Sequence, residues 1–407
     1  MLVSIALILG GLACRFSSQL QPTAPSEPGF LPLTAMAEVT LSPPPRRSCP
    51  VPSGQVSPPA VELPAQYGAA LLAYLNQGGD ATALAEQTPG LTLAGPDLDG
   101  DGWVDLAFSL QSDRPGLPQP DGATFVYHCR GETFELIYSA LSTPERGAPQ
   151  VEAAADATAD GGDDLLITQQ TCGAHTCFAR VQLLTWSGEG LTNVFEGTSD
   201  DLPNPSVEFQ PMAGNPPAIV ATGGGYNSVG AGPYRRLQRT WTWQPAEQVF
   251  RQSHEQFLPS DYRIHMVHDA DRAAADGDLG LALDRFQAVV ADPALRAWVD
   301  AAQEQPVLAA YARFRQMVIA LRSDNPVRAA EFLSSLRVQA QSGPGAAYLA
   351  MAEAFWSVYE QTGSRQQACQ EAQAYAATHQ TAILDPLYYG YANPTYTPAD
   401  ICPSTAG

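Results

Sequence analysis

The sequence predicts a multidomain protein in which antiparallel β repeats precede an array of α-helices. Three observations carry this prediction. A loop rich in aspartate and glycine, followed by an apolar strand, occurs at residues 97–110 and again at 156–168. Turn sequences of similar type recur at the equally spaced positions Cys129, Trp186 and Trp243. From about residue 259 onwards, the apolar residues change from a period of about two to one of about 3.6, which is the period of a helix.

The composition excludes several kinds of chemistry. All 21 basic residues are arginine, and 42 acidic residues give a formal net charge of −21. A chain without lysine has no Schiff-base lysine, no lysine of a phosphate-binding loop and no Ser–Lys dyad. The negative charge also disfavours nucleic acid as a partner, because phosphate binding needs a basic face. The acidity suits an extracytoplasmic protein, and solubility alone explains it equally well.

The first 14 residues have the pattern of a targeting segment. An apolar run over residues 2–13 ends directly at Cys14, and it is too short to span a bilayer but suits the core of a signal peptide. The ending Leu12-Ala13-Cys14 resembles the lipobox of bacterial lipoproteins. That resemblance implies cleavage, a lipid on Cys14 and a membrane-anchored or cell-surface protein outside the cytoplasm. Residues 15–64 are rich in proline and predict an extended tether.

Residues 65–90 predict a short helical lead-in. Tyr67, Leu71 and Tyr74 recur at helical spacing, and Asp80 is placed to cap a second helix that ends before Pro89.

Residues 91–255 predict three β repeats, two of which contain loops suited to a hard cation. Alternating aspartates direct carboxylates inward, and the glycines supply the backbone angles of a tight turn. The third copy, around residues 212–216, has lost the aspartates. The candidate ligands are Asp97, Asp99, Asp101 and Asp105 in the first loop, and Asp156, Thr158, Asp160 and Asp164 in the second.

These loops resemble those of the FG-GAP/VCBS repeats found in integrin-α-type β-propellers. The resemblance implies four-stranded, propeller-like blades with calcium bound by the loops, in an array that three copies leave open or incomplete. An EF-hand is disfavoured, because Phe108 and Ile167 stand where its bidentate glutamate would be. The alternative is that both loops are turns that bind no ion.

Six cysteines remain if Cys14 carries a lipid, and an even number suits three disulfides outside the cytoplasm. Cys172 and Cys177 are close enough to pair across a hairpin. Zinc with His175 as a third ligand is the alternative, but no further cysteine pair completes such a site. The other predicted pairs are Cys369 with Cys402, which fastens the C-terminal tail to the last helix, and Cys49 with Cys129, by elimination.

The third repeat contains a glycine-rich segment over residues 223–232. A strand follows it rather than a helix, so a phosphate-binding loop is disfavoured. The segment predicts a long, mobile hairpin loop with arginines on an otherwise acidic surface, and a plain surface loop is the alternative. The candidate ligand-contacting residues are Tyr226, Asn227, Ser228, Arg235, Arg236 and Arg239.

Residues 256–390 predict a helical domain, and residues 391–407 a tail that wraps back over it. His265 and His268 are spaced as two ligands on one helix face, although solvated histidines are the more common reason for this pattern. Gly277-Asp278 with Ala282 and Phe286 resembles the second helix of a tetratricopeptide (TPR) repeat, which implies a TPR-like helical array.

These patterns favour a non-enzymatic, lipid-anchored binding or scaffold protein. Calcium would stabilise its β repeats, and a protein partner would bind its helical domain. The alternative is an envelope enzyme or carbohydrate-binding protein that uses the third-repeat loop and nearby aromatic residues. Sugar binding would need exposed indole rings, so the accessibility of Trp241 and Trp243 discriminates between the two.

Overall fold

The computed structural model describes residues 47, 49, 52–53, 56–60, 63–112, 121–173 and 175–403. Cys14, the predicted signal peptide and most of the predicted tether lie outside the described residues. The predicted order of β and then α is confirmed within these limits: twelve strands precede the helical region.

The lead-in consists of helices α1 (Pro64–Asn76) and α2 (Ala81–Gln87). The residues expected on one face of α1 are buried, with Leu71 fully so. Asp80 caps α2, because its carboxylate accepts a hydrogen bond of 3.0 Å from the backbone N–H of Ala83.

The strands form three antiparallel sheets of four, and each sheet follows the order of the chain. The first contains β1 (Leu91–Ala94), β2 (Leu106–Ser112), β3 (Asp121–Cys129) and β4 (Phe134–Leu141). The second contains β5 (Pro149–Ala155), β6 (Asp164–Cys172), β7 (Cys177–Trp186) and β8 (Leu191–Asn193). The third contains β9 (Ser206–Met212), β10 (Asn215–Thr222), β11 (Leu237–Gln244) and β12 (Val249–Phe257).

The equally spaced turns of the sequence occupy equivalent places in the three sheets, between the third and the fourth strand of each. The third copy differs at its first connection. Met212 and Asn215 pair directly across the turn from β9 to β10, and Gly214 has a φ of 70°. A two-residue hairpin of this kind needs positive φ and leaves no room for a cation loop. The third copy therefore has a tight turn where the first two copies have aspartate-rich loops.

The three sheets stack in sequence order. Neighbouring residues of a strand face opposite sides of its sheet, so each strand can pack against layers on both sides. Phe108 faces the core shared with α1 and α2, whereas Ala107 packs with Leu165 of the second sheet. Leu166 packs in turn with residues of the third sheet, including Trp241. In the part of the chain that the structure describes, the three sheets close no ring.

The last part of the predicted tether is fixed to the first sheet. Arg47 donates a backbone hydrogen bond of 2.9 Å to Gly102 and accepts one of 2.8 Å from Val104. Two residues further on, a disulfide joins Cys49 to Cys129 at the end of β3. These contacts hold residues 47 and 49 against the first sheet, within the segment for which the sequence predicts a tether.

The helical region contains α3 (Arg263–Ala275), α4 (Leu279–Ala291), α5 (Ala301–Arg322), α6 (Pro326–Gln339), α7 (Ala346–Thr362) and α8 (Arg365–Thr378). Helices α3 and α4, α5 and α6, and α7 and α8 pack as consecutive pairs. Ala282 and Phe286 are fully buried in the shared core, and Phe286 meets the edge of Tyr311. Among the described residues, no helix combines the length and the apolar character needed to cross a membrane.

The C-terminal segment lies against the helices, as predicted. It contains α9 (Gln380–Ile383), a short 3-10 helix (Asp385–Leu387) and α10 (Pro398–Ile401). A disulfide joins Cys369 of α8 to Cys402. The third disulfide joins Cys172 to Cys177 across the hairpin of β6 and β7. All six cysteines are thus joined in the pairs that the sequence predicts.

Candidate functional site

The two aspartate-rich loops, residues 97–105 and 156–164, lie against each other where the first two sheets meet. We call this region the acidic seam. The backbone N–H of Asp97 donates to the Asp163 carboxylate at 2.9 Å, and the N–H of Asp163 donates to the carbonyl of Asp97 at 2.7 Å. A Cβ on Gly162 would lie 2.2 Å from the carbonyl oxygen of Leu98. Glycine is therefore required for the loops to approach this closely.

Within the first loop, three aspartates each accept a hydrogen bond from a backbone N–H of the same loop. Asp97 accepts from Gly102 at 3.0 Å, and Asp101 accepts from Trp103 at 2.8 Å. Asp99 accepts from the N–H of Asp101 at 3.2 Å. Each of the three offers one carboxylate oxygen, and these oxygens lie within 4.8 Å of one another. Oxygen donors at such separations suit a calcium ion, which takes six to eight of them.

The fourth candidate ligand of the first loop points elsewhere. Asp105 is 1% exposed and accepts hydrogen bonds from the N–H of Leu98 at 2.8 Å and of Cys129 at 2.7 Å. Its Oδ1 also lies 3.0 Å from Nδ1 of His128, whose Nε2 is 3.7 Å from Oδ2 of Asp99. Burial raises the pKa of Asp105 above its usual value, against the effect of these hydrogen bonds. Asp105 thus groups with His128 and Asp99 rather than with Asp97 and Asp101.

The second loop is built in a similar way but is less open to an ion. Asp156 is exposed and accepts from the N–H groups of Asp160 and Gly161, both at 3.2 Å. Asp164 is 1% exposed and accepts from the N–H of Ala157 and of Thr158. Among the described residues, this loop forms no group of three acidic or histidine side chains within 4.8 Å. The first loop therefore fits a cation better than the second.

The sequence did not single out Asp163 or His128. Asp163 lies beside a predicted ligand and joins the two loops. His128 stacks against Trp186 of the second sheet, with ring centroids 4.6 Å apart. A histidine on the strand after an aspartate-rich loop gives no local signal, because only the pairing of β2 with β3 brings it to Asp105.

Two of the three candidate arginines of the third repeat, Arg235 and Arg239, are paired with carboxylates rather than free on the surface, contrary to the prediction. Arg239 lies on β11 and pairs with Asp201 and Glu255, with 12% of its side chain exposed. Arg235 pairs with Asp269 of α3 at 2.8 Å, and Arg236 donates to the carbonyl of Gly223. Acidic residues that are distant in sequence thus take up the guanidinium groups of Arg235 and Arg239, whereas Arg236 is exposed.

The glycine-rich loop, for which the sequence predicts a long, mobile hairpin, contacts the C-terminal tail. Tyr226 packs edge-on against Tyr234 and Tyr391, and the N–H of Tyr391 donates to the carbonyl of Gly230. Asn227 and Ser228 follow Tyr226 within the same loop, and the carbonyl of Ser228 accepts from the N–H of Ala231.

A cavity of about 320 Å³ lies where the third sheet, α3 and the tail meet. We call it the junction cavity. Of the candidate ligand-loop residues, Tyr226 and Arg235 line it. Side chains from α3 complete the wall, among them His265, His268 and Arg272. The structure thus brings together part of the predicted ligand loop and the His-x-x-His pair, which no sequence pattern connects.

The histidines of α3 are buried, so the interpretation as solvated residues is wrong. His265 is 1% exposed and lies within hydrogen-bond distance of the Ser260 hydroxyl, at 2.7 Å, and of the Pro233 carbonyl, at 3.1 Å. His268 is 8% exposed, and burial lowers its pKa to about 3. The ring is therefore neutral at pH 7.

Of the two indole rings that would discriminate in favour of sugar binding, one is fully buried and the other is partly buried. Trp241 is fully buried between the second and third sheets, and Trp243 packs on Phe250 with centroids 5.6 Å apart. Cys172 and Cys177, the alternative zinc ligands, are joined to each other.

Comparison of the chain with models of known families, with curated proteins and with solved structures gives no match.

Proposed function

We propose that this chain is a non-enzymatic, extracytoplasmic binding protein in which a calcium ion at the acidic seam stabilises the first two β sheets against each other. The observation that supports the proposal is the contact between the two aspartate-rich loops. Asp97, Asp99 and Asp101 present three oxygens within reach of one ion, and Asp97 itself is hydrogen-bonded to the second loop.

The charges of the seam explain why a cation would matter. The two loops together carry eight aspartates in a chain whose net charge is already −21. Like charges at these distances repel one another, and the repulsion falls when a divalent ion binds between them. Because the loops belong to different sheets, an ion in the first loop would favour the arrangement in which the sheets touch.

The membrane anchor and the protein partner complete the proposal. A lipid on Cys14 would hold the protein at a bacterial membrane. The consecutive helix pairs would act as a TPR-like array that offers a binding surface to another protein. Two valines of α6, Val327 and Val338, are 70% and 81% exposed, and they mark the outer face of that helix as the place where such a partner would bind.

Thermal unfolding with added calcium tests the cation. Extracellular modules bind calcium with dissociation constants of roughly 10⁻⁴–10⁻³ M. At about 1 mM free calcium the linkage then adds about 0.4–1.4 kcal/mol to the free energy of unfolding. We expect the melting temperature to rise by about 1–5 °C. Magnesium should give less, because it demands a tighter octahedral geometry.

The variant Asp99→Asn should lose most of the calcium shift, and Asp284→Asn should keep it, because Asp284 is an exposed aspartate of α4 remote from the seam in sequence. A melting temperature that does not respond to calcium would refute the proposal. So would a response to zinc alone that disappears in His128→Gln, since a nitrogen ligand beside Asp99 suits a transition metal better than calcium.

A further inference from the structure

The junction cavity is enclosed by segments that are far apart in the sequence. The glycine-rich loop and β11 form one side, α3 forms the second, and the tail around Asn393 forms the third. A second cavity of about 310 Å³ adjoins it, and His268, Arg272 and Pro394 line both. The volume of the first cavity is at the lower end of that of small-molecule sites, which measure roughly 300–1,000 Å³.

The charges around the cavity leave one cation weakly paired. Asp201 is paired with Arg239, and Asp269 forms its short contact, 2.8 Å, with Arg235. Arg272 reaches the same carboxylate only at 3.4 Å. The guanidinium of Arg272 lies over the ring of Phe257, 4.3 Å from its centroid, and 43% of the side chain is exposed. Most of the donors of Arg272 therefore have no acceptor among the described residues.

Two further polar groups of the cavity wall lack partners. Nε of Arg235 and Nε2 of His268 are buried and have no hydrogen-bond partner among the described residues. Unpaired buried groups of this kind are rare in native proteins and call for an explanation, such as an ion or ligand. Because an arginine Nε–H can only donate, the missing partner of Arg235 is an acceptor.

The rest of the wall is aromatic. Tyr226 and Tyr234 meet edge-to-face with centroids 5.6 Å apart, and Phe257 lies beneath Arg272. Planar aromatic surfaces bind rings and other flat apolar groups, whereas a guanidinium binds a carboxylate through two parallel hydrogen bonds.

We propose that the junction cavity binds a small carboxylate that carries a ring, with Arg272 as the residue that binds the carboxylate and with Tyr226 and Tyr234 against the ring. The proposal does not depend on a cation at the acidic seam. It is a binding site, and no reaction is assigned to it.

Calorimetric titration of the full chain tests this site with four probes. Benzoate stands for an aromatic carboxylate and glucuronate for a sugar acid, and benzamide and glucose are their neutral counterparts. We expect at least one acid to bind with a dissociation constant in the millimolar range or below, and about 10-fold or more tightly than its neutral counterpart. If neither acid binds at about 10 mM, or if a neutral counterpart binds equally well, the proposal is wrong.

Two arginine variants locate the binding. Arg272→Gln should weaken the binding of the acid by about 10- to 100-fold, as the loss of a charge-assisted pair of hydrogen bonds predicts. Arg337→Gln is the matched control: Arg337 also lies in the last turn of its helix, α6, and 48% of its side chain is exposed. Equal affinity in the two variants would place the ligand elsewhere and overturn the proposal.

A variant that fills the cavity distinguishes a loss of ligand binding from a loss of folding. Ala392 of the tail lines the cavity, so Ala392→Phe should abolish the binding of the acid while the melting temperature changes little. Undiminished binding by a folded Ala392→Phe protein would also overturn the proposal.

Discussion

The buried carboxylate of Asp164 should make the stability of the protein depend on pH. Asp164 opens β6, is 1% exposed, and accepts two backbone hydrogen bonds of 2.8 Å at one oxygen. Burial raises its pKa from 3.8 to about 6. The folded state therefore holds this proton more tightly than the unfolded state does. The resulting stabilisation is complete below about pH 3.8 and is lost as the pH rises through about 6.

The size of the effect follows from the shift. About two pKa units correspond to about 3 kcal/mol at most, at 1.36 kcal/mol per unit. Asn has the same shape, keeps an oxygen for the backbone donors and carries no charge. Asp164→Asn should therefore raise the free energy of unfolding at pH 7.5 by about 1–3 kcal/mol relative to wild type. Near pH 4 the difference should approach zero.

Urea unfolding at pH 4 and pH 7.5, with a chelator present to remove divalent ions, measures both values. Asp156→Asn is the control, because it removes an exposed carboxylate from the same loop. If Asp164→Asn is less stable than wild type at pH 7.5, or if the difference between the two proteins does not change with pH, burial does not govern this carboxylate and the reasoning is refuted.

Two further predictions concern an ion pair between α3 and α5 and the lipid anchor. Asp271→Ala should lower the free energy of unfolding by about 3–5 kcal/mol, because it leaves the buried guanidinium of Arg315 without its carboxylate partner. The double variant Asp271→Leu with Arg315→Met should recover part of the lost stability. A loss below about 1 kcal/mol for the single variant would contradict the prediction. Cys14→Ser should move the protein from the membrane to the soluble fraction of cells, and an unchanged distribution argues against the lipid anchor.

Local patterns predict the parts of this fold that depend on neighbouring residues. In β2, Phe108 and Ala107 face opposite sides of the first sheet, and in β6, Leu166 and Leu165 face opposite sides of the second. This alternation lets each sheet pack against a neighbouring layer on both faces. The equal spacing of turns also locates the three sheets. These signals are local because pairing between consecutive strands needs only short connections.

The candidate sites depend on contacts that the sequence pattern does not contain. A histidine at position 265 or 268 is compatible with either face of α3, and its burial depends on how the tail and the third sheet cover the helix. Likewise, Asp105 has the spacing of a calcium ligand, but His128 and a backbone N–H of the partner strand take up its Oδ1, and the N–H of Leu98 takes up its Oδ2. The spacing of the aspartates does not show that other donors compete with a cation for the carboxylate of Asp105.

The contacts that join the third sheet to its neighbours differ in kind from those that join the first sheet to the second. The first and second sheets meet partly through loops that carry only negative charge, so a bound cation would stabilise their contact under the proposed function. The third sheet has a tight turn in place of such a loop. It is held to the second sheet by an apolar core that includes Trp241, and to α3 by the pair of Arg235 with Asp269. A chelator should therefore act on the acidic seam and leave the junction cavity intact, so that either proposed site can fail without affecting the other.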